Sequence, residues 1–120
     1  MKKMLAIFFG LFSLSAVATV SPKDAYQEVQ AGKAVMIDVR EEDEVKSGMI
    51  KDAKWFPLSR VKNDKNWKSD FDKLTENKKI YLYCRSGSRS GQVKEILKTN
   101  KTDSTNIGGF VELSKVLPTR

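Results

Sequence analysis

An apolar run, Ile80-Tyr81-Leu82-Tyr83, passes through the loop Cys84-Arg85-Ser86-Gly87-Ser88-Arg89 into a helical pattern that begins near Ser90. Strand, short loop and helix in that order constrain the fold strongly, because alternating strands and helices assemble into a mainly parallel sheet. The rest of the chain repeats the alternation. Ser21-Pro22-Lys23-Asp24 reads as a helix start, with a capping serine, proline at the first helical position and an acid three residues after the serine. Ala25, Tyr26 and Val29 supply its apolar face and Gly32 its end. Ala34-Val35-Met36-Ile37-Asp38-Val39 is a short β-branched run with one polar residue near its end, the pattern of a buried strand. Residues 41–46 read as a charged turn or short helix stopped at Gly48, and residues 53–56 as a second strand closed by Pro57.

Residues 62–70 are polar and read as a long surface connection, with Trp67 packing on the body of the domain rather than stacking on a ligand. Residues 71–76 suggest a weak helix and residues 79–83 a strand. Over residues 91–99, Val93, Ile96 and Leu97 share one face while Lys94, Glu95 and Lys98 point outward, which predicts an amphipathic helix. Thr105-Asn106-Ile107 reads as a short strand ending at Gly108-Gly109, and residues 110–116 as a last turn or helix. The expected architecture is α/β: a mainly parallel central sheet with helices on both faces.

The N-terminus has a different character. Met1-Lys2-Lys3 is basic, residues 4–14 are almost wholly apolar, and Ala16-Val17-Ala18 places small residues two apart. These are the three parts of a secretory signal peptide. The expected division is a signal peptide over residues 1–18, cleaved after Ala18, and a single domain over residues 19–120. A retained signal anchor is the alternative; Ser13, Ser15, Thr19 and the shortness of the run weigh against it. No cysteine follows the apolar run, which argues against a lipoprotein. Losing Lys2 and Lys3 lowers the formal charge of +7 by two, to +5. The remaining excess is dispersed, with Lys78, Lys79 and Lys98 set among acids such as Glu76 and Glu95. Nucleic-acid binding would need a clustered basic face with interleaved aromatics, and no such stripe is present.

Cys84 is the only cysteine, and the chain has no histidine. An internal disulfide, a Cys-His dyad, a Ser-His-Asp triad and any histidine-bearing metal site are thereby excluded. What remains is a lone thiol at the end of a strand, where ligands of parallel α/β sheets bind. Gly87 can take a backbone conformation closed to other residues. The loop N–H groups can then converge as a nest, and the following helix adds its positive N-terminal end. Ser86 and Ser88 offer hydroxyl donors, and Arg85 and Arg89 add fixed positive charge. Such surroundings favour the thiolate and suit a second anion beside it. The chemistry this predicts is attack by Cys84 on an anionic substrate, giving a covalent intermediate. A small buried hydrophobe is the blander reading of a lone cysteine; the flanking glycine, serines and arginines argue against a dry core site. Cysteine-dependent phosphatases share this arrangement but usually place five residues between cysteine and arginine, commonly with histidine just before the cysteine. Here four residues separate Cys84 from Arg89 and Tyr83 precedes the cysteine. The smaller cradle suits one extra sulfur atom better than a tetrahedral phosphoryl group.

On these residues the chain resembles the rhodanese family of sulfurtransferases. Ile37-Asp38-Val39-Arg40 resembles the family's strand-end motif, and Glu44, Gly48 and Ile50 fall where the family has Glu, Gly and Ile. Ala53 and Pro57 fit the next strand and its proline. The run from Cys84 to Ser90 is close to the active loop of single-domain members, and Gly108-Gly109 fits the late glycine pair. The chain is most similar to small periplasmic members of the phage shock protein E type. It departs from the pattern at Met49, where the family often has histidine, at Asp52, where it often has glycine, and at Leu113, where many members have tryptophan.

The resemblance implies a rhodanese-like fold, a periplasmic location and thiosulfate sulfurtransferase activity by a ping-pong route. Cys84 would be the nucleophile that carries the persulfide. Arg85, Ser86, Gly87, Ser88, Arg89 and Ser90 would form the substrate-binding cradle, with Arg89 either holding the donor's charge or bracing the loop. Asp38 and Arg40 would be structural residues near the site, as would Glu44. The partners implied are a small anionic sulfur donor such as thiosulfate and a thiophilic acceptor, cyanide or a thiol, with room for a protein acceptor. No cofactor, metal, nucleic acid or membrane is implied once the signal is cleaved. Two other readings stay open: a persulfide carrier or partner-binding module without efficient turnover, and, disfavoured by loop length and the lack of histidine, a cysteine phosphatase or arsenate reductase.

Overall fold

Four short strands, all parallel, form the sheet in a computed structural model that describes residues 20–120. The expected signal segment, residues 1–18, lies outside them. The two central strands are β1 (Ala34–Asp38) and β3 (Lys79–Cys84), in register from Ala34 opposite Lys79 to Asp38 opposite Tyr83. β2 (Lys54–Trp55) flanks β1, and β4 (Thr105–Gly109) flanks β3, giving the order β2-β1-β3-β4. Every residue of β1 is buried, as expected of a parallel strand covered on both faces.

Side chains alternate along the strands and so build two cores. Val35, Ile37, Ile80, Leu82 and Cys84 face one way, against Leu58, Val61, Phe71, Val93 and Leu97. Those partners come from α3 (Leu58–Asn63), α4 (Trp67–Thr75) and α5 (Ser88–Thr99). Ala34, Met36, Tyr81 and Tyr83 face the other way, against Ala25, Tyr26, Leu113 and Leu117. There the cover comes from α1 (Pro22–Gln30) and from α6 (Phe110–Leu113) with the turn that follows it. α1 starts as its sequence dictates: the Ser21 hydroxyl accepts from the Asp24 N–H at 3.1 Å and Pro22 opens the first turn.

The expected long connection over residues 62–70 is overturned. α3 runs through Asn63 and α4 begins at Trp67, so only three residues link them. α4 is longer than the weak helix expected over 71–76. Trp67 and Phe71, four apart on one face, pin it to the sheet, their ring centroids 6.1 Å apart. Phe71 in turn meets the edge of Phe56 at 5.2 Å. The segment reads as polar because two aromatic anchors carry a helix whose other face is charged. α5 also starts earlier than its apolar face suggests, at Ser88 rather than Gly91. α2 (Glu42–Val45) is one turn, and residues 48–51 lead back to pair with the C-terminus, Ile50 forming an antiparallel bridge with Thr119. Asp52 takes the left-handed φ of 69°, a conformation that favours glycine.

Candidate active site

Cys84 ends β3, and the chain reverses into α5 within three residues. Gly87 makes the reversal with φ 103° and serves as the N-cap of α5. The first turn of the helix is therefore Ser88-Arg89-Ser90, and its N–H groups lack intrahelical partners. The Gly87 N–H donates to Cys84 Sγ at 3.0 Å, and the Ser90 hydroxyl lies 3.4 Å from the same sulfur. Burial alone pushes the Cys84 thiol up. The Ser90 hydroxyl, then the N–H groups of Ser90, Ser86 and Gly87, outweigh it and hold the thiol below its ordinary value. The cradle is made almost wholly of neutral donors.

The loop is braced from the neighbouring strand. Asn106 on β4 joins the Gly87 carbonyl to the Ser90 hydroxyl, a role its sequence context does not signal. Gly109 packs so closely that a Cβ there would run into the Arg85 carbonyl and come within 2.7 Å of Ser86 Cα. β4 reaches this point through a register shift between Leu82 and Cys84, which lets Gly109 pair with Cys84.

The structure places the sequence-derived residues differently from one another. Arg89 turns onto Glu44 of α2, with bidentate contacts of 2.5 and 2.8 Å. That pair holds the Glu44 carboxyl down to about 2, chiefly through the Arg89 hydrogen bonds. Arg85 stands exposed, with no ion pair among the described residues. Ser86 and Ser88 are exposed at the mouth, whereas Ser90 is buried beneath the sulfur. Asp38 and Arg40 sit at the end of β1 as a buried pair, 2.8 Å apart at the closest, and Arg40 also donates to the Gly48 carbonyl at 2.6 Å. Among the described residues no three His, Cys, Asp or Glu side chains converge to hold a metal ion. A crevice of about 620 Å³ lies at the opposite end of the sheet, where β3 and β4 begin, and contains none of these residues.

A thiol held toward its anion at the C-terminal edge of a parallel sheet, inside a nest of N–H groups, defines an α/β domain with a cysteine-bearing loop. Residues 21–115 match the rhodanese-like domain family, and the chain belongs to that family. It is 40% identical over 88 residues to the uncharacterized protein YqhL of Bacillus subtilis, covering 70% of this chain and 65% of that one. It is 34% identical over 83 residues to a Schizosaccharomyces pombe protein named "Putative thiosulfate sulfurtransferase, mitochondrial", covering 63% and 57%. The chain thus spans about three fifths of the length of these relatives. Among solved structures, a rhodanese with anions from E. coli is similar at a TM-score of 0.57 and 26% identity, over 72% of this chain and 95% of that one.

Proposed function

We propose that the protein is an exported, periplasmic sulfurtransferase of the small single-domain kind, which takes sulfane sulfur from thiosulfate and passes it to cyanide or a thiol. The observation that carries the chemistry is the Cys84 sulfur, buried at the base of a loop whose donors all favour its anion. The Cys84 thiolate attacks the outer sulfur of thiosulfate. A bond forms between the two sulfurs, the thiosulfate S–S bond breaks, and its electron pair leaves with sulfite. A Cys84 persulfide remains, its terminal sulfur held by the same N–H groups. Cyanide or a thiolate then attacks that terminal sulfur, and the electron pair of the broken S–S bond restores the Cys84 thiolate.

Arg85 is the cation left to meet the donor, since the Arg89 charge is already met by Glu44. Export rests on the basic, apolar and small-residue pattern of residues 1–18. Intact mass after incubation with thiosulfate tests the reading. The protein is expected to gain one sulfur atom, to lose it on adding cyanide, and to gain none as Cys84→Ser. Arg85→Ala is expected to raise the KM for thiosulfate about tenfold, the loss of one charge-assisted contact of roughly 1.4 kcal/mol. Absence of both adduct and sulfite release overturns the enzyme. A stable adduct that no acceptor removes catalytically favours the carrier instead.

A further inference from the structure

Asn106 holds both ends of the cysteine loop. Its Nδ2 donates to the Gly87 carbonyl at 2.9 Å, while its Oδ1 accepts from the Ser90 hydroxyl at 2.8 Å and from the Gly108 N–H at 3.0 Å. An acceptor facing the NH₂ and donors facing the oxygen fix the orientation of the amide. Ser90 has one hydroxyl proton and two acceptors within reach, Asn106 Oδ1 at 2.8 Å and Cys84 Sγ at 3.4 Å. Against a thiol, a weak acceptor, the shorter bond to Asn106 is the better one. Against a thiolate or persulfide, the charge-assisted bond to sulfur is stronger. When Ser90 turns, Asn106 Oδ1 keeps the Gly108 N–H, so the rotation strands no buried polar atom.

Building on the sulfurtransferase reading, we propose that Asn106 is a positioning residue for Cys84. Its amide sets the Gly87 turn that aims the loop N–H groups at the sulfur; this outweighs the Ser90–Asn106 bond, which by itself favours the thiol, and Ser90 turns to the sulfur once the anion forms. The Ser90 proton stays on its oxygen throughout and only the O–H rotates; the Cys84 proton leaves to solvent. Aspartate at 106 would fail twice, since it has no N–H for the Gly87 carbonyl and it would bring a negative charge beside the thiolate. The other charges around the sulfur are accounted for. Arg89 on α5 is met by Glu44 of α2, with Glu41 nearby. Arg85 is exposed in the loop, Asp38 and Arg40 pair on the Tyr83 side of β1, and Arg60 on α3 is tied to Asp64 and Asp70.

The rate of Cys84 alkylation by iodoacetamide across pH reads the thiolate and involves no sulfur donor. Asn106→Asp is expected to raise the midpoint by about one pH unit or more, a roughly tenfold slower alkylation at a pH below the midpoint. Asn106→Ser and Ser90→Ala, both neutral, are expected to raise it by about half a unit each, and they carry the test should the aspartate variant not fold. Folded variants that all alkylate with the parent's midpoint overturn the proposal, even if they melt earlier, because lost stability alone marks a merely structural role. A raised midpoint in a protein that takes no sulfur from thiosulfate sustains the role of Asn106 and removes the donor reading instead.

Discussion

Arg89 and Glu44 show how one pair changes what a loop residue is available to do. The guanidinium sits in the first turn of α5, close enough to the cysteine for the two charges to feel each other, yet both its contacting nitrogens point at a carboxylate. The pair fastens α2 to the loop. The carboxyl of Glu44 titrates near its ordinary 4.5 in the unfolded chain and is held at about 2 in the folded one, by Arg89 first, against burial, with help from the Glu41 N–H. A depressed carboxyl stabilises the fold above the unfolded value and ceases to do so as pH falls through the folded value. Glu44→Gln is therefore expected to lower stability at pH 7 by about 1 kcal/mol, the modest size set by the pair's partial exposure to water. Urea midpoints measured from pH 7 downward should show parent and variant converging between pH 4.5 and about 2. A gap that stays constant over that range would mean the pair contributes nothing through its charge. The chemistry of Cys84, Gly87 and Ser90 is readable in sequence because those residues are neighbours. The partner of Arg89 lies 45 positions away and that of Ser90 lies 16 away, and only strand order brings either into reach.

At the scale of elements, the loop is shaped as much by β4 as by its own sequence. The shift in register near Cys84 carries the Gly108-Gly109 pair under Arg85 and Ser86, with backbone against backbone. Gly109 has an ordinary extended conformation, φ −126°, so its requirement is space and not backbone freedom. Gly109→Ala must push the loop and β4 apart; overpacking of this kind typically costs about 1–3 kcal/mol. The variant is expected to unfold at lower urea and to alkylate at Cys84 more slowly, because the nest opens. An alanine variant with parent stability would show that the two segments separate freely. β1 and β3 were legible from their apolar, β-branched runs, and α5 from Val93, Ile96 and Leu97 at helical spacing. α3 and α4 were not. α3 buries only Leu58 and Val61 in six residues, while α4 does carry a helical stripe, Trp67, Phe71 and Leu74, whose first member stands among charges and so reads as part of a polar connection. Their helicity comes from the sheet they cover.

Across the whole molecule, one buried ion pair gathers segments that are distant in sequence. Asp38 at the end of β1 accepts from Arg40 at its backbone N–H, Nε and Nη2, over 2.8–3.0 Å. Arg40 reaches on to the Gly48 carbonyl, lies 4.1 Å from the Phe110 ring centroid, and accepts at its own carbonyl from Trp55 Nε1 at 2.8 Å. The next residues after Gly48 extend the connection: Ile50 N–H donates to the Tyr83 hydroxyl at 3.1 Å, and Met49 exchanges both backbone hydrogen bonds with Arg120. β1, β2, β3, α6 and the C-terminal residues thus meet around a carboxylate with no exposure to water. A buried charge is tolerable only while its partner is present, and removing one member of such a pair typically costs about 3–5 kcal/mol. Arg40→Met is expected to fall in that range in urea unfolding at pH 7. Replacing both groups removes the stranded charge, so Asp38→Leu with Arg40→Met is expected to recover at least half of the loss, although the Gly48 carbonyl still goes without its donor. A single variant that loses no more than an exposed pair would, about 1 kcal/mol or less, would mean that the packing of Tyr83, Phe110 and Leu113 holds these segments together without the charge.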